Sequence, residues 1–374
     1  MIFSTKNVNV FIFTSVHPWN DVRIFHKQAV SLSQKYIIEL HAPAEFKKKH
    51  IGNISIIGLQ KWHKKSDRIK TFFILFKRVW GSKAEIFHFH DPELVLLGLY
   101  IKCIKRKKVI FDVHENTSQL ILERTWIPTV FRKPLYYSFR ILEKLSMRYF
   151  DSIVLAEDSY TKNFPQKNIV IHNYPFLTQK TLEFKKTIDV IYVGGIMRER
   201  GIFEILKIVK MVKQTLPLVF FKIIGPIAKN IESDIVRIIE TEKLGENIIF
   251  TGRMNYDEAM MEIQRAKIGL ALLHPIKNYI ESLPTKIFEY MNYEVPFLAS
   301  NFNYWGTIFD NEKIGYLIPY NGTEQWSEKI IDLLQDDKKR ISMGKQGRAL
   351  IEKQYSWTSE EKHLLTLYHS LLSP

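Results

Sequence analysis

Short, continuously apolar runs alternate with amphipathic stretches along nearly the whole chain, and the alternation begins afresh at Asp189. In the first half the runs are Val8–Thr14, Tyr36–Leu40, Ile54–Ile57, Ile86–Phe89, Lys108–Phe111, Ser152–Leu155 and Ile169–Ile171. Helical periodicity lies between them, over Arg23–Ser33, Pro92–Ile104 and Phe131–Arg148. In the second half the runs are Asp189–Val193, Val219–Ile224, Asn247–Phe250, Ile268–Leu272, Pro296–Ala299 and Gly315–Leu317. Ile202–Gln214, Asn230–Lys243, Tyr256–Arg265 and Thr285–Met291 separate those. Strands that are apolar throughout are buried on both faces, which predicts parallel sheets covered by helices on each side. The expected class is therefore α/β, with two Rossmann-like, doubly wound domains facing a cleft, over residues 1–180 and 188–355. The polar stretch Thr178–Thr187 marks the link. Such sheets bind ligands beyond the carboxyl ends of their strands. Three helices close the chain, Glu324–Gln335, Asp337–Gln354 and Trp357–Leu372. The last, within 356–374, carries Leu364, Leu367, Tyr368 and Leu371 and needs a surface to cover.

The length of 374 residues suits two domains. The longest apolar runs, such as Leu94–Tyr100, are far too short to cross a bilayer. Val8–Val16 contains Asn9 and reads as a buried strand rather than a secretory signal. The single cysteine, Cys103, leaves no disulfide framework and no cysteine-rich metal site. These features predict a soluble cytoplasmic protein. The net charge of +15 is unevenly spread. Residues 1–180 hold 29 basic and 14 acidic side chains, whereas 181–374 hold 25 of each. In the first half, Arg68–Trp80 interleaves aromatic and basic residues, as an interfacial helix does; a core helix with a solvated basic edge is the other reading. For the half as a whole, attraction to an anionic membrane surface is the better account. No nucleic-acid motif is present, so nucleic acid is not expected as a partner.

The segment Glu281-Ser282-Leu283-Pro284-Thr285-Lys286-Ile287-Phe288-Glu289 carries the most chemistry. Pro284 suits the first position of a helix. The amides of Thr285 and Lys286 are then open at the helix start, where phosphate binds, and Lys286 adds a full positive charge. Glu289 can accept from the two hydroxyls of a ribose, and Glu281 lies close to whatever hangs off the phosphate. Phosphate, ribose and a further polyol describe a nucleotide-sugar.

Other turns add candidates. Val193-Gly194-Gly195 through Arg200-Gly201 follows a predicted strand, and its glycines permit an anion to approach the backbone. Arg200 and Lys286 could converge there on a diphosphate. The dinucleotide spacing G-x-G-x-x-G is absent. His114, in Asp112-Val113-His114-Glu115-Asn116, stands at a strand end and reads equally as an active-site group or a loop hydrogen-bonder. His88-Phe89-His90-Asp91-Pro92 invites a metal reading, but no third histidine follows at metal spacing. His90 and Asp91 suit the lining of a cleft, and Asp91 also suits a helix N-cap. In His17-Pro18-Trp19-Asn20-Asp21, Asp21 reads either as an N-cap or as part of an acceptor-side loop. Arg253 could meet a base or a phosphate, or be a solvated loop residue.

With these residues assembled, the chain resembles glycosyltransferase family four, retaining nucleotide-sugar-dependent enzymes of the GT-B fold. Carrying the resemblance are Glu281 and Glu289, the Pro-x-Lys-x-Phe-Glu-Tyr-Met run, and Tyr192-Val193-Gly194-Gly195 with Arg200-Gly201. His88-x-His90-Asp91-Pro92-Glu93, Asp112–Asn116 and His172-Asn173-Tyr174-Pro175 add to it. The resemblance implies that Glu281 contacts the donor sugar, Glu289 the ribose, and Arg200 and Lys286 the diphosphate. Gly194, Gly195, Arg198, Arg253, Leu283, Pro284 and Thr285 complete the expected donor-binding set. His114 and Glu281 are the expected catalytic residues, and His17, Asp21, His90 and Asp91 the acceptor-side candidates. The terminal helix is expected to return to the first domain. No metal or other cofactor is implied.

Two departures stand out. Gly195 occupies the position where many members carry an arginine, with Arg198 as a nearby substitute. Pro18-Trp19-Asn20 replaces the usual Gly-Gly pair of the first loop. The implied reaction moves a hexose-type sugar from a UDP- or GDP-sugar to a glycan or lipid-linked acceptor, at the inner face of the cell membrane, in bacterial surface polysaccharide assembly. A nucleotide-sugar epimerase of the same plan and a non-catalytic assembly partner are the alternatives.

Overall fold

The computed structural model describes residues 8–61, 67–123, 127–178, 184–309 and 313–373. The chain divides into two compact units, Met1–Asn173 with Trp357–Pro374, and Tyr174–Ser356. The division thus falls ahead of the polar stretch Thr178–Thr187. Tyr174 is the reason, because its ring packs on Phe288 and Tyr355 of the second unit.

The first unit holds eight strands: β1 Asn9–Phe13, β2 Ile37–Pro43, β3 Lys48–Ile51, β4 Ile54–Leu59, β5 Ile86–Phe89, β6 Lys108–Val113, β7 Ser152–Leu155 and β8 Asn168–Val170. Their order is β3-β4-β2-β1-β5-β6-β7-β8, parallel except for β3 against β4. Strand order reverses between β1 and β5, so the loops after these strands open side by side. β3 lies outside the apolar runs of the sequence. It is an edge strand whose exposed Lys48, Lys49 and His50 discourage further pairing.

Alternate residues of β1, β5 and β6 feed two cores. On one face Val10, Ile12, Ile38, Leu40 and Ile110 pack with Ile24, Phe25 and Leu32 and with Trp357, Leu364 and Tyr368 of the Trp357–Leu372 helix. Burying Leu364 alone contributes on the order of 1.5–3 kcal/mol. The Trp357 indole donates to Ser31 Oγ at 3.0 Å, and the Tyr368 hydroxyl bonds His88 Nδ1 at 2.8 Å. On the other face Phe11, Phe13, Phe87 and Phe89 lie under the helices Asp67–Gly81, Val95–Cys103 and Thr129–Tyr149.

Where one α-helix was expected from Arg23, the structure has a π-helix, Val22–Ala29, running into an α-turn, Val30–Ser33. Asp21 caps it by accepting from the amides of Arg23 and Ile24 at 2.9 and 3.0 Å. The wide turn buries Arg23, Lys27 and Gln28. Arg23 and Lys27 find partners at Asp112 and Asn173, which offsets the poorer helical geometry. A further helix, Thr117–Glu123, was not anticipated.

The second unit is a parallel six-stranded sheet: β9 Ile188–Val193, β10 Phe221–Ile224, β11 Ile248–Phe250, β12 Ala266–Ala271, β13 Phe297–Ser300 and β14 Gly315–Ile318. The order is β11-β10-β9-β12-β13-β14, which reverses between β9 and β12. Cores lie on both faces, one around Ile205, Phe221 and Trp326, the other around Ile191, Phe288 and Trp305. Among the described residues, no helix is long and apolar enough to cross a membrane.

Candidate functional site

The switch point of the second unit gathers most of the predicted donor-binding residues. Gly194, just past β9, has φ +142°, a conformation that side-chain-bearing residues rarely adopt. A Cβ built there would lie 3.0 Å from Lys286 Nζ and 3.1 Å from Arg200 Nη1. Two cationic heads therefore meet over one glycine. The neighbouring Gly225, φ +149°, lets β10 approach the Gly194 carbonyl.

Lys286 sits in the first turn of the Thr285–Asn292 helix and is almost wholly buried. Among the described residues its ammonium has no hydrogen-bond acceptor, and it rests 3.9 Å from the centre of the Tyr192 ring. Burial, and then the Arg200 charge, press its pKa well below the ordinary lysine value, with Glu289 opposing. A buried cation without an acceptor is costly, and an arriving anion would relieve that cost. Arg200 is half-buried, its Nε donating to the Tyr279 hydroxyl at 3.2 Å. The Trp305 indole holds the approach to the helix by donating to the carbonyls of Ser282 and Tyr279 at 2.7 and 3.2 Å.

Pro284 is the N-cap, in extended conformation, rather than the first helical residue. Its carbonyl accepts from the Ile287 amide, and no side chain caps the helix. The helix start accordingly faces its surroundings with the exposed Thr285 and with Lys286. The Leu283 side chain is buried in the apolar cluster, so only its backbone can touch a ligand. Glu289, half-buried, takes a bond from the Tyr256 hydroxyl, whose pKa burial and that carboxylate push up. Glu281 ends the short Lys277–Ile280 helix, half-buried.

Gly195 lies below the Arg200 head, 3.8 Å from a built Cβ to Nη1. Arg198 does not join this group; it is exposed and stacks on Phe203 at 4.4 Å. Arg253 is exposed beyond β11. Sequence reasoning missed Tyr192, Tyr256, Tyr279 and Trp305 as shapers of the site. Tyr192 stood inside the quoted motif, but nothing marked its ring as the floor beneath Lys286.

In the first unit the switch point carries a separate polar cluster. Asp112 is fully buried and accepts from Arg23 Nε and Nη2 at 3.2 and 3.0 Å and from Gln28. Burial would raise its pKa, but Arg23 and then His114 hold it well below the carboxylate range. His90 Nδ1 and His114 Nε2 lie 3.0 Å apart, and His114 Nε2 is 3.4 Å from Asp112 Oδ1. His17 stacks near His114 and lies 3.6 Å from both Asp21 and Asp91. Burial opposes its protonation, but Asp21 and Asp91 raise its pKa. The Asp91 side chain makes no helix-cap bond. It accepts instead from Thr14 Oγ1 and the Ser15 amide at 2.7 and 2.6 Å, tying the loops after β1 and β5 together. Among the described residues, His88, His90 and Asp112 place ligand atoms within 4.8 Å of one another. A cation there would face the Arg23 guanidinium, which already takes both Asp112 oxygens.

Known proteins share this plan. Residues 173–350 match the family model described as "Glycosyl transferases group 1". A curated relative from Campylobacter jejuni, GalNAc-alpha-(1->4)-GalNAc-alpha-(1->3)-diNAcBac-PP-undecaprenol alpha-1,4-N-acetyl-D-galactosaminyltransferase, is 22% identical over 290 residues, covering 71% of this chain and 70% of that protein. Sucrose-phosphate synthase from Thermosynechococcus elongatus superposes with a TM-score of 0.75 at 14% identity, covering 97% of this chain and 99% of that one. Anabaena HepE in complex with UDP-glucose gives 0.72 at 12% identity, with 97% and 99% covered. WaaG, a glycosyltransferase involved in lipopolysaccharide biosynthesis, gives 0.70 at 11% identity, with 96% and 99% covered. The group 1 pattern falls on the unit that brings Lys286, Arg200 and Gly194 together, so residues 173–350 carry the signature of the group 1 glycosyltransferases within a chain of GT-B fold.

Proposed function

We propose that this chain is a retaining glycosyltransferase that moves a hexose-type sugar from a UDP- or GDP-sugar to a lipid-linked glycan. The observation that carries the reading is the buried Lys286 ammonium, lacking an acceptor, beside Arg200 over Gly194. As the bond from the anomeric carbon to the diphosphate breaks, charge grows on the leaving group. Fixed cations and helix-start amides stabilise that charge more than they stabilise the ground state. Glu289 holds the ribose, Glu281 the sugar, and His114 serves at the reacting centre. With no carboxylate assigned as nucleophile, attack comes from the face the diphosphate leaves, and the diphosphate takes the acceptor's proton.

The lipid-linked acceptor is supported by the name of the Campylobacter relative and by the surface of the first unit. Ile69, Phe73 and Trp80 on the Asp67–Gly81 helix, and Val130, Phe131, Tyr137 and Ile141 on Thr129–Tyr149, are all more than half exposed. Lys70, Lys77, Lys133 and Lys144 are exposed among them, a combination suited to an anionic membrane surface. The Asp67–Gly81 helix also buries Leu75 and Val79 on its other side, as the core-helix reading expects.

Calorimetry with UDP and GDP tests the donor site. Both should bind, because the diphosphate supplies the counter-charge that the buried Lys286 ammonium lacks. Lys286→Ala should abolish that binding. Unchanged affinity in that variant overturns the assignment, and a panel of UDP-, GDP- and ADP-sugars in thermal shift names the donor.

A further inference from the structure

The geometry points to His90 as the positioning residue that fixes the proton of His114 on Nδ1, making His114 a hydrogen-bond donor to its ligand rather than a base. The inference rests on the proposed function only for placing His114 at the reacting centre. His90 is buried, and its two ring nitrogens differ in surroundings. Nδ1 lies 3.0 Å from His114 Nε2 and 3.6 Å from Asp112 Oδ2. Nε2 is buried with no partner among the described residues. Burial first, against the pull of Asp112, holds the His90 pKa to about 4, so the ring carries one proton at neutral pH.

A stranded N–H costs more than a stranded lone pair, so that proton belongs on Nδ1. Asp112, locked by Arg23, lies 3.6 Å from this Nδ1 and 3.4 Å from His114 Nε2, so it attracts a proton on either nitrogen, and the partnerless Nε2 of His90 decides between them. His114 Nε2 must then accept, and its own proton goes to Nδ1. The His114 backbone is held as well, since its carbonyl accepts from the Tyr160 hydroxyl at 3.4 Å. A ring oriented in this way presents N–H to a sugar hydroxyl or a phosphoryl oxygen. It cannot take a proton through Nδ1.

Imidazole 15N spectra of the histidine-labelled protein at pH 8 read the tautomer directly, with no donor needed. The expected result is His114 protonated on Nδ1. In His90→Leu it should revert to the Nε2 form that a free histidine side chain prefers. In His90→Asn, whose amide can donate from the place of Nδ1, it should persist. A His114 proton on Nε2 in the unaltered protein overturns the inference, as does a tautomer unmoved in His90→Leu. In transfer assays His90→Leu should lower kcat roughly 10²-fold, as loss of one oriented donor does, with the donor KM unchanged. In a His114→Ala background it should cost nothing more. An equal loss in both backgrounds makes His90 merely structural. The expected tautomer in a protein that transfers no sugar would count against the proposed function and leave this inference standing.

Discussion

Each unit brings charged groups to the point where its strand order reverses, but the two clusters are settled differently. In the first unit Asp112 meets Arg23 through two bonds, and Asp91 is held by Thr14 and Ser15. In the second unit the Lys286 ammonium has no acceptor among the described residues, and the Arg200 head beside it has the same sign. Partnered buried charges hold a fold together when complete and fail badly when one member is removed. A lone buried cation costs stability until something else supplies its counter-charge. The first cluster is therefore a fixed frame beside His114, and the second, on the proposed function, is a receptor for an anion.

Removing one partner from the frame should have the largest effect. Asp112→Ala leaves Arg23 buried without its carboxylate and should lower unfolding stability by about 3–5 kcal/mol in denaturant titration. A loss under about 1 kcal/mol would break the comparison, because the frame would then not depend on the pair. Lys286→Met should act in the opposite sense on stability. It should slow transfer roughly 10²–10³-fold, as loss of one transition-state contact does. Yet the empty protein should be as stable as before, or more stable by about 1–4 kcal/mol, because an uncompensated charge has left the interior. A Lys286→Met protein that is both inactive and clearly less stable would place Lys286 in a frame of the same kind as Asp112.

A smaller effect comes from the joint where the terminal helix meets the first unit. His172 lies 2.9 Å from Asp158 and 3.5 Å from Glu360, and its amide donates to Glu360 at 2.9 Å. Burial alone would lower its pKa, but the two carboxylates raise it to about 9. A histidine whose folded pKa exceeds its unfolded one stabilises fully below about pH 6.5 and loses that contribution as pH rises through the folded value. Stability should therefore fall between about pH 6.5 and 9, by on the order of 1–3 kcal/mol. His172→Gln should flatten that slope, and an unchanged slope in the variant would assign the pH dependence to other groups.

The same contrast explains what could be read from sequence. The arrangement of the Glu281–Glu289 segment was legible because its parts are contiguous. Leu283 to Glu289 lie on one turn and one helix, so spacing alone sets Lys286 near a helix start. The alternating apolar runs likewise announce both sheets, since β5, β7 and β9 follow them nearly residue for residue. The frame of the first unit was not legible, because Arg23 and Asp112 are 89 residues apart and meet only once the sheet is built. Asp91 looked like a cap because Pro92 follows it, and the fold instead offered it two donors on another strand's loop. Pro284 misled by one position, a shift that local propensity cannot resolve.

Arg198 gives the finest test of where the receptor ends. Sequence spacing made it the substitute for the arginine that Gly195 displaces, but its guanidinium lies over Phe203, exposed, while Arg200 takes the space above the glycines. An exposed cation–π contact contributes about 0.5–1 kcal/mol. Arg198→Ala should therefore cost no more than that in stability, and transfer should slow by less than about tenfold, well short of the loss expected of a diphosphate contact. Arg200→Ala should match Lys286→Met in rate. If Arg198→Ala instead slows transfer as much as Arg200→Ala does, the Arg198 side chain leaves Phe203 when the donor binds. The receptor would then gain a third cation that the unliganded arrangement holds apart, and a single nucleotide-bound structure would show it.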